Sequence, residues 1–250
     1  MRADEAAALA AEIAAACSEV LGDRLVAVIL HGSLVLGDYS PGRSDVDLLA
    51  VVERPLTDDE LAALEQVLLA RRAGAAGIDL RVVTRAVAAA PTESPAMELY
   101  VGLHHGQEPE VLRRIDGERD LVAELSMVRA DGRSLVGPEP TAVVGAIPDE
   151  WVVAYGDQVL ERWQQLTDDA EHAGLMVLTA CRIWTFAVEG VHCSKTVAAR
   201  WALQREPALP AVEAALRRRA GDTKAQVEPA DIAALLARVR GELARRYPGL

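Results

Sequence analysis

The sequence HGSLVLGDYSPGRSDVDLL occupies residues 31–49 and connects an apolar run at 25–30 to a second apolar run at 46–52. At the start of the second run, Asp45 and Asp47 are two positions apart, so on a β-strand both side chains point to the same face. Two carboxylates on one face repel each other. A divalent cation between them removes this repulsion, and carboxylate oxygens are ligands that Mg²⁺ prefers. The spacing therefore predicts a metal site where this strand begins.

Gly32 and Ser33 open the same segment and indicate a place for an anion. Glycine allows backbone N–H groups to approach an anion closely. We expect the chain to turn here into a helix, whose N-terminus would add positive charge. A phosphate cradle that faces a metal site predicts nucleotide binding, and Ser44, next to the aspartates, is a further candidate contact.

The combination of Gly32-Ser33 with Ser44-Asp45-x-Asp47 resembles the signature of the polymerase-β-like nucleotidyltransferases. A bare D-x-D is common by chance, and the alternative is a surface turn followed by a strand with two solvated aspartates. Asp79 lies in an alternating run at 78–83 that reads as a strand. The resemblance implies that this third carboxylate completes the metal site if the two strands are neighbours. The alternative is an aspartate on an edge strand that faces water.

The remaining pattern predicts an α+β protein with two domains. Thr57 and Glu60 form a capping box before a helix that we expect to end near Arg72 and Gly74. With the resemblance, residues 1–148 form a nucleotidyltransferase domain with a mixed sheet, its helices on one face of the first strands. Residues 149–250 form an all-helical domain that covers nucleotide and substrate. The other predicted elements are helices at 3–21 and 119–130 and strands at 25–30, 46–52 and 97–103.

Composition limits the partners of the chain. The net charge of −12 argues against a nucleic-acid-binding surface, which needs basic stripes, and suits a cationic small substrate. No apolar run approaches the ~20 residues of a membrane span. The acidic N-terminus is unlike a signal peptide, and the three cysteines form no C-x-x-C. We therefore expect a cytoplasmic monomer that contacts neither nucleic acid nor membrane.

The second half of the chain resembles the helical domain of the spectinomycin/streptomycin adenylyltransferases. The resemblance rests on residues 177–184, on Gly190 followed by Ser194-Lys195, on 198–203 and on 134–138, so it covers nearly the whole chain. It implies Mg²⁺-dependent transfer of AMP from ATP to a hydroxyl of an aminoglycoside or aminocyclitol antibiotic. It also implies roles for single residues: metal binding by Asp45, Asp47 and Asp79, and nucleotide contacts by Gly32, Ser33, Ser44, Arg182 and Lys195. An ordinary salt bridge within a helix is the alternative for Arg182.

Three departures from the family pattern concern the chemistry and the drug. The family's catalytic base is a glutamate, and Asp79 at its place is one methylene shorter, so it acts as the base from closer range or as a metal ligand only. His104 falls near the place of a tryptophan that accompanies streptomycin, which favours the spectinomycin 9-hydroxyl over the streptomycin 3''-hydroxyl. An acidic drug contact of the family falls near His172. Other candidate drug contacts are Glu171 and Asp168.

Two other functions remain open from the sequence. The first is nucleotidyl transfer to another small molecule or to a protein hydroxyl. The second is a non-catalytic nucleotide-binding or antitoxin-like module, although such modules are generally short single domains. The full second domain favours the enzyme.

Overall fold

The computed structural model of the chain describes residues 1–71 and 77–249. The contacts between residues divide it into two compact units, Met1–Ile147 and Pro148–Leu250. In these described residues, no helix is both long enough and apolar enough to cross a bilayer. The predicted end of the second helix near Arg72 and Gly74 lies outside the described residues.

The first unit is built on a mixed six-stranded sheet. Its strands, in chain order, are β1 (Leu25–His31), β2 (Val46–Val52), β3 (Gly77–Thr84), β4 (Met97–His104), β5 (Glu110–Ile115) and β6 (Arg133–Val136). Their spatial order is β5-β4-β3-β2-β1-β6. Among the strands of the described residues, only β2 and β3 pair in parallel, and the helix between them provides the crossover that parallel neighbours need. The sheet confirms the expected α+β fold class.

Helices cover both faces of this sheet, and the two that accompany the first strands, Ala3–Leu21 and Asp58–Leu69, lie on one face as predicted. The helices are α1 (Ala3–Leu21), α2 (Asp58–Leu69), α3 (Arg85–Ala89), α4 (Asp120–Asp131) and α5 (Pro140–Val143). Leu48 and Ala50 pack with α1 and α2, whereas Leu49 and Val51 pack with α4 on the other side. A strand that is buried on both faces reads as a continuous apolar run, and residues 46–52 contain such a run after Asp47.

The capping box before α2 forms as its sequence predicts. Thr57 Oγ1 accepts a hydrogen bond from the backbone N–H of Glu60, and the Glu60 carboxylate accepts one from the Thr57 N–H at 2.7 Å. The box fixes where the chain leaves the loop after β2 and begins the crossover to β3.

The second unit is helical in all the regular structure that the described residues form. It comprises α6 (Asp149–Trp163), α7 (Ala173–Glu189), α8 (Lys195–Arg205), α9 (Pro210–Arg219) and α10 (Pro229–Arg246). Trp184 of α7 is fully buried, and its ring packs edge-on against Trp201 at a centroid distance of 5.4 Å. These contacts confirm the expected all-helical second half.

Candidate active site

The three predicted carboxylates lie on one face of the sheet, near the N-terminal ends of β2 and β3. His31, Asp47, Asp79 and Gly102 are register partners across β1, β2, β3 and β4. Partners in neighbouring strands present their side chains to the same face. Asp45 precedes Asp47 by two residues and joins that face. The sheet therefore gathers Asp45, Asp47 and Asp79, and it places Asp79 on an inner strand rather than on an edge.

Two glycines make room for the carboxylates. A Cβ added to Gly32 would lie 2.0 Å from Asp47 Oδ2, and one added to Gly77 would lie 1.7 Å from Asp45 Oδ1. No real Cβ approaches an oxygen so closely, so each aspartate occupies space that only glycine leaves free. Asp47 leans over the end of β1, and Asp45 leans over the start of β3.

Asp45, Asp79 and His104 form a compact group of potential metal ligands. One ligand atom of each residue lies within 4.8 Å of the others. Tyr100 Oη donates a hydrogen bond to Asp79 Oδ1 at 2.7 Å, so one oxygen of Asp79 is oriented from the neighbouring strand. Two carboxylates and one imidazole are a donor set that fits a divalent cation.

The Asp47 carboxyl group lies in a strongly electronegative environment. Burial raises the pKa of Asp47 to about 6; His31 opposes this shift, whereas Asp79, Glu124 and Asp45 add to it. Ionised carboxylates in such proximity favour a bound cation, since the cation compensates their charge. The electrostatics of the site are thus consistent with the predicted metal site.

A buried ion-pair network supports this face from α4. Glu124 lies 2.5 Å from Arg81 Nη1 and 3.3 Å from His31 Nε2, and Arg81 Nη2 donates to Asp120 at 2.7 Å. Burial alone lowers the pKa of His31, but the adjacent Glu124 carboxylate, helped by Asp47, raises it above its usual value. Burial raises the pKa of Glu124, but Arg81 and His31 bring it below its usual value.

Sequence reasoning missed this network. One signal was present: Glu124 follows Leu121 at helical spacing and precedes Leu125, so a charged residue lies on the apolar face of α4. Buried charges are normally paired, and this position therefore implied a cationic partner. The identity of that partner depends on how α4 packs on the sheet, which the helical pattern does not specify.

The Gly32-Ser33 segment forms turns rather than the expected helix. Residues 32–37 are turns, and Gly32 and Gly37 have φ angles of 69° and 68°. Left-handed backbone at both ends prevents the run from continuing as a helix. The expectation of a helix N-terminus here is therefore wrong.

Within the described chain, the buried Ser33 hydroxyl has no hydrogen-bond partner, so it is available to a ligand. The Ser44 hydroxyl accepts a hydrogen bond from the Ser40 N–H and braces the loop.

The remaining predicted residues belong to the second unit. Lys195 is the first residue of α8, whose N-cap Ser194 accepts a hydrogen bond from the Val197 N–H. Arg182 lies on α7 and, like Lys195, is half-buried. Asp168, Glu171 and His172 are exposed in the segment that leads into α7.

Asp169 organises that exposed segment. Its carboxylate accepts hydrogen bonds from the Glu171 and His172 N–H groups, both at 3.1 Å, and lies 2.7 Å from His172 Nδ1. Hydrogen bonding to His172 lowers the pKa of Asp169. The segment therefore presents several carboxylates and one imidazole to solvent.

Comparison with known proteins agrees with this architecture. Residues 11–86 match the family model described as a nucleotidyltransferase domain, and residues 142–242 match the aminoglycoside adenylyltransferase C-terminal domain. An aminoglycoside (3'') (9) adenylyltransferase from Shigella flexneri is 33% identical over 218 residues, which cover 80% of this chain and 82% of the relative. A spectinomycin 9-adenylyltransferase from Staphylococcus aureus is 27% identical over 202 residues, covering 77% and 75%.

A solved structure has the same fold. The crystal structure of a spectinomycin adenyltransferase from Enterococcus faecialis with ATP and spectinomycin superposes with a TM-score of 0.74 at 19% identity, covering 93% of this chain and 96% of that one. The sequence relatives cover most of both chains, and both halves match the corresponding family models. The protein therefore belongs to the aminoglycoside adenylyltransferase family and is a nucleotidyltransferase.

Proposed function

We propose that this enzyme transfers AMP from ATP to a hydroxyl of an aminocyclitol antibiotic and so confers resistance. The observation that carries the proposal is the convergence of Asp45, Asp47 and Asp79 beside Gly32-Ser33, in a chain of this family. We further propose that the spectinomycin 9-hydroxyl is preferred over the streptomycin 3''-hydroxyl. Two relatives that support the preference are named for spectinomycin alone.

The carboxylates have distinct roles in this proposal. Asp45, Asp47 and Asp79 would bind Mg²⁺, which supplies charge neutralisation for the triphosphate and for the departing pyrophosphate. Asp79 also accepts the proton of the drug hydroxyl. Tyr100 already occupies Asp79 Oδ1, which leaves Oδ2 as the oxygen for the proton. An aspartate reaches less far than a glutamate, so the hydroxyl must approach β3 closely.

The reaction is a single in-line displacement. The drug hydroxyl oxygen attacks the α-phosphorus of ATP, a new P–O bond forms, and the bond to the β-phosphate oxygen breaks. Pyrophosphate leaves with the electron pair of that bond, and the hydroxyl proton moves to Asp79. Gly32, Ser33 and Ser44, together with Arg182 and Lys195, are proposed to contact the nucleotide, since cations and backbone N–H groups both suit phosphate.

The drug is proposed to contact the exposed segment before α7. Asp168, Glu171 and the Asp169–His172 pair offer carboxylates to ammonium groups. The aromatic platform that accompanies streptomycin in the family has no equivalent in His104. This difference supports spectinomycin as the preferred substrate.

Mass spectrometry of the drugs tests the proposal. Spectinomycin and streptomycin are each incubated with the protein, ATP and Mg²⁺. The variant Asp47→Asn is the inactive control. The matched active control is Asp23→Asn, a substitution of an exposed aspartate. We expect spectinomycin to gain one adenylyl group, with wild type and Asp23→Asn equally active. Modification of streptomycin in preference to spectinomycin would reject the substrate preference. No modification of either drug, with ATP still bound, would reject antibiotic adenylylation.

A further inference from the structure

The end of β4 brings an imidazole to the carboxylates of β2 and β3. His104 Nδ1 lies 3.7 Å from Asp45 Oδ1, and His104 Nε2 lies 3.6 Å from Asp79 Oδ1. Both distances are too long for a hydrogen bond. Two atoms that bind one ion at about 2.1 Å are separated by roughly 3.0–4.2 Å. One imidazole gives a single nitrogen to an ion, and one ligand atom of each of the three residues lies within 4.8 Å of the others. A small movement of the side chains therefore brings the three atoms to the spacing of ligands around a shared ion.

Two glycines open the sheet surface so that these three groups can meet. Gly77 is the register partner of His104, and a Cβ there would collide with Asp45 Oδ1. Gly102 is the register partner of Asp79, and a Cβ there would lie 2.5 Å from Tyr100 Oη and 3.2 Å from His104 Nε2. Side chains at these two positions would separate the imidazole from both carboxylates.

The three ligand residues are accessible to solvent, and a neighbouring hydroxyl orients one of their carboxylates. The side chains of His104 and Asp45 are 29% and 35% exposed, so an ion can reach them from solvent. Tyr100 donates its hydroxyl to Asp79, and a hydrogen bond of this kind orients a metal-binding carboxylate. His105, the residue after His104, lies in the turn that follows β4 and is exposed.

We propose that Asp45, Asp79 and His104 bind a divalent transition-metal ion such as Mn²⁺ or Co²⁺. Imidazole is a softer ligand than carboxylate and suits first-row transition metals, whereas Mg²⁺ requires hard oxygen ligands. His104 thus shifts the selectivity of the site away from Mg²⁺. The inference rests on the proposed function only in treating Asp45 and Asp79 as metal ligands, and it assigns His104 to the metal instead of the drug.

Direct titration with Co²⁺ tests the site without nucleotide or drug. The visible absorption of bound Co²⁺ is followed for the full-length wild type, His104→Ala and the matched control His105→Ala, and Mg²⁺ binding is measured by calorimetry. We expect His104→Ala to weaken Co²⁺ binding by about 10-fold or more. His105→Ala should bind Co²⁺ as wild type does, and Mg²⁺ affinity should change less than about threefold in both variants. Circular dichroism confirms that the variants fold.

Three results would overturn the proposal: unchanged Co²⁺ affinity in His104→Ala, an equal loss of Co²⁺ and Mg²⁺ affinity, or an equal loss in His105→Ala. The outcome is separable from that of the drug assay. If neither drug is modified but His104→Ala alone loses Co²⁺ binding, the site stands and the antibiotic substrate falls. If spectinomycin is modified but His104→Ala binds Co²⁺ normally, the substrate stands and the site falls.

Discussion

Asp47 carries a carboxyl group that is costly to ionise in the folded chain. Burial raises its pKa from an ordinary value of 3.8 to about 6, against the opposing effect of His31. The folded-state pKa is therefore above that of the unfolded chain. The contribution of this group to stability is fully present below pH 3.8 and is lost as the pH rises through 6. Without a bound cation, Asp47 destabilises the fold at neutral pH.

Asp47→Asn is expected to separate function from stability. Because the amide cannot ionise, the metal-free variant should be more stable than wild type at pH 8, by about 2–3 kcal/mol. The gain should shrink as the pH falls from 6 towards 4. Urea unfolding in EDTA across this pH range measures it, with the exposed-site variant Asp23→Asn as control. AMP transfer should fall by about 100-fold or more, since the amide no longer neutralises a cation. A variant that is less stable at pH 8, or still active, contradicts the assignment.

Individual residues differ in how far the sequence reveals them. Asp45 and Asp47 were predictable because the two-residue spacing fixes a common face on any strand. Asp79 needed the resemblance as well as its alternating run. Tyr100 could not be found, because its role depends on the register between β3 and β4, which the sequence does not specify. The expectation that His104 contacts the drug remains a prediction that competes with its proposed role at the metal.

Elements with strong local signals were predictable, and those stabilised by neighbours were not. The apolar run of β2 and the capping box of α2 determine those elements locally. By contrast, β5 is an edge strand with mostly exposed side chains, including Arg113 and Arg114, so no apolar pattern marks it. The four-residue β6 exists because β1 offers it an edge. Residues 32–37 form turns instead of the predicted helix because Gly37 adopts a left-handed backbone conformation, and the sequence motif does not reveal this conformation.

The attachment of α4 to the sheet depends on Glu124. Its carboxylate is the shared partner of Arg81 on β3 and His31 on β1, so one side chain joins a helix to two strands. Removing it leaves the buried Arg81 guanidinium with one carboxylate fewer and His31 without its neighbouring carboxylate, although Asp120 still pairs with Arg81. Loss of one member of a buried ion pair is costlier than loss of the whole pair.

Glu124→Gln should therefore destabilise the first unit by about 3 kcal/mol at pH 7. Urea unfolding followed by circular dichroism measures the loss, and Glu12→Gln, at an exposed position of α1, is the matched control. The control should lie within about 0.5 kcal/mol of wild type. A loss below about 1 kcal/mol in Glu124→Gln would show that the network contributes little to the packing of α4.

At the scale of the whole molecule, the net charge of −12 creates a field that attracts cations. The predicted drug contacts Asp168 and Glu171 are exposed, so salt screens their attraction for an ammonium group. The field should therefore act on the encounter with the drug and on its retention. The proposed catalytic groups, Asp47 and Asp79, are less exposed, so the chemical step should respond much less to salt.

Ionic strength should consequently change KM for spectinomycin and leave kcat nearly constant. Between about 0.05 and 0.5 M KCl the screening length falls from about 14 to about 4 Å, and KM should rise about three- to tenfold at saturating MgATP. Steady-state AMP transfer measures both constants, and sucrose at matched osmolality controls for osmotic effects. The substitution of Asp168 and Glu171 by their amides should remove most of the salt dependence while leaving kcat intact. A KM that is insensitive to salt in the wild type would mean that long-range attraction does not guide the drug to this enzyme. A salt dependence that survives both substitutions would place the guiding charges elsewhere on the molecule.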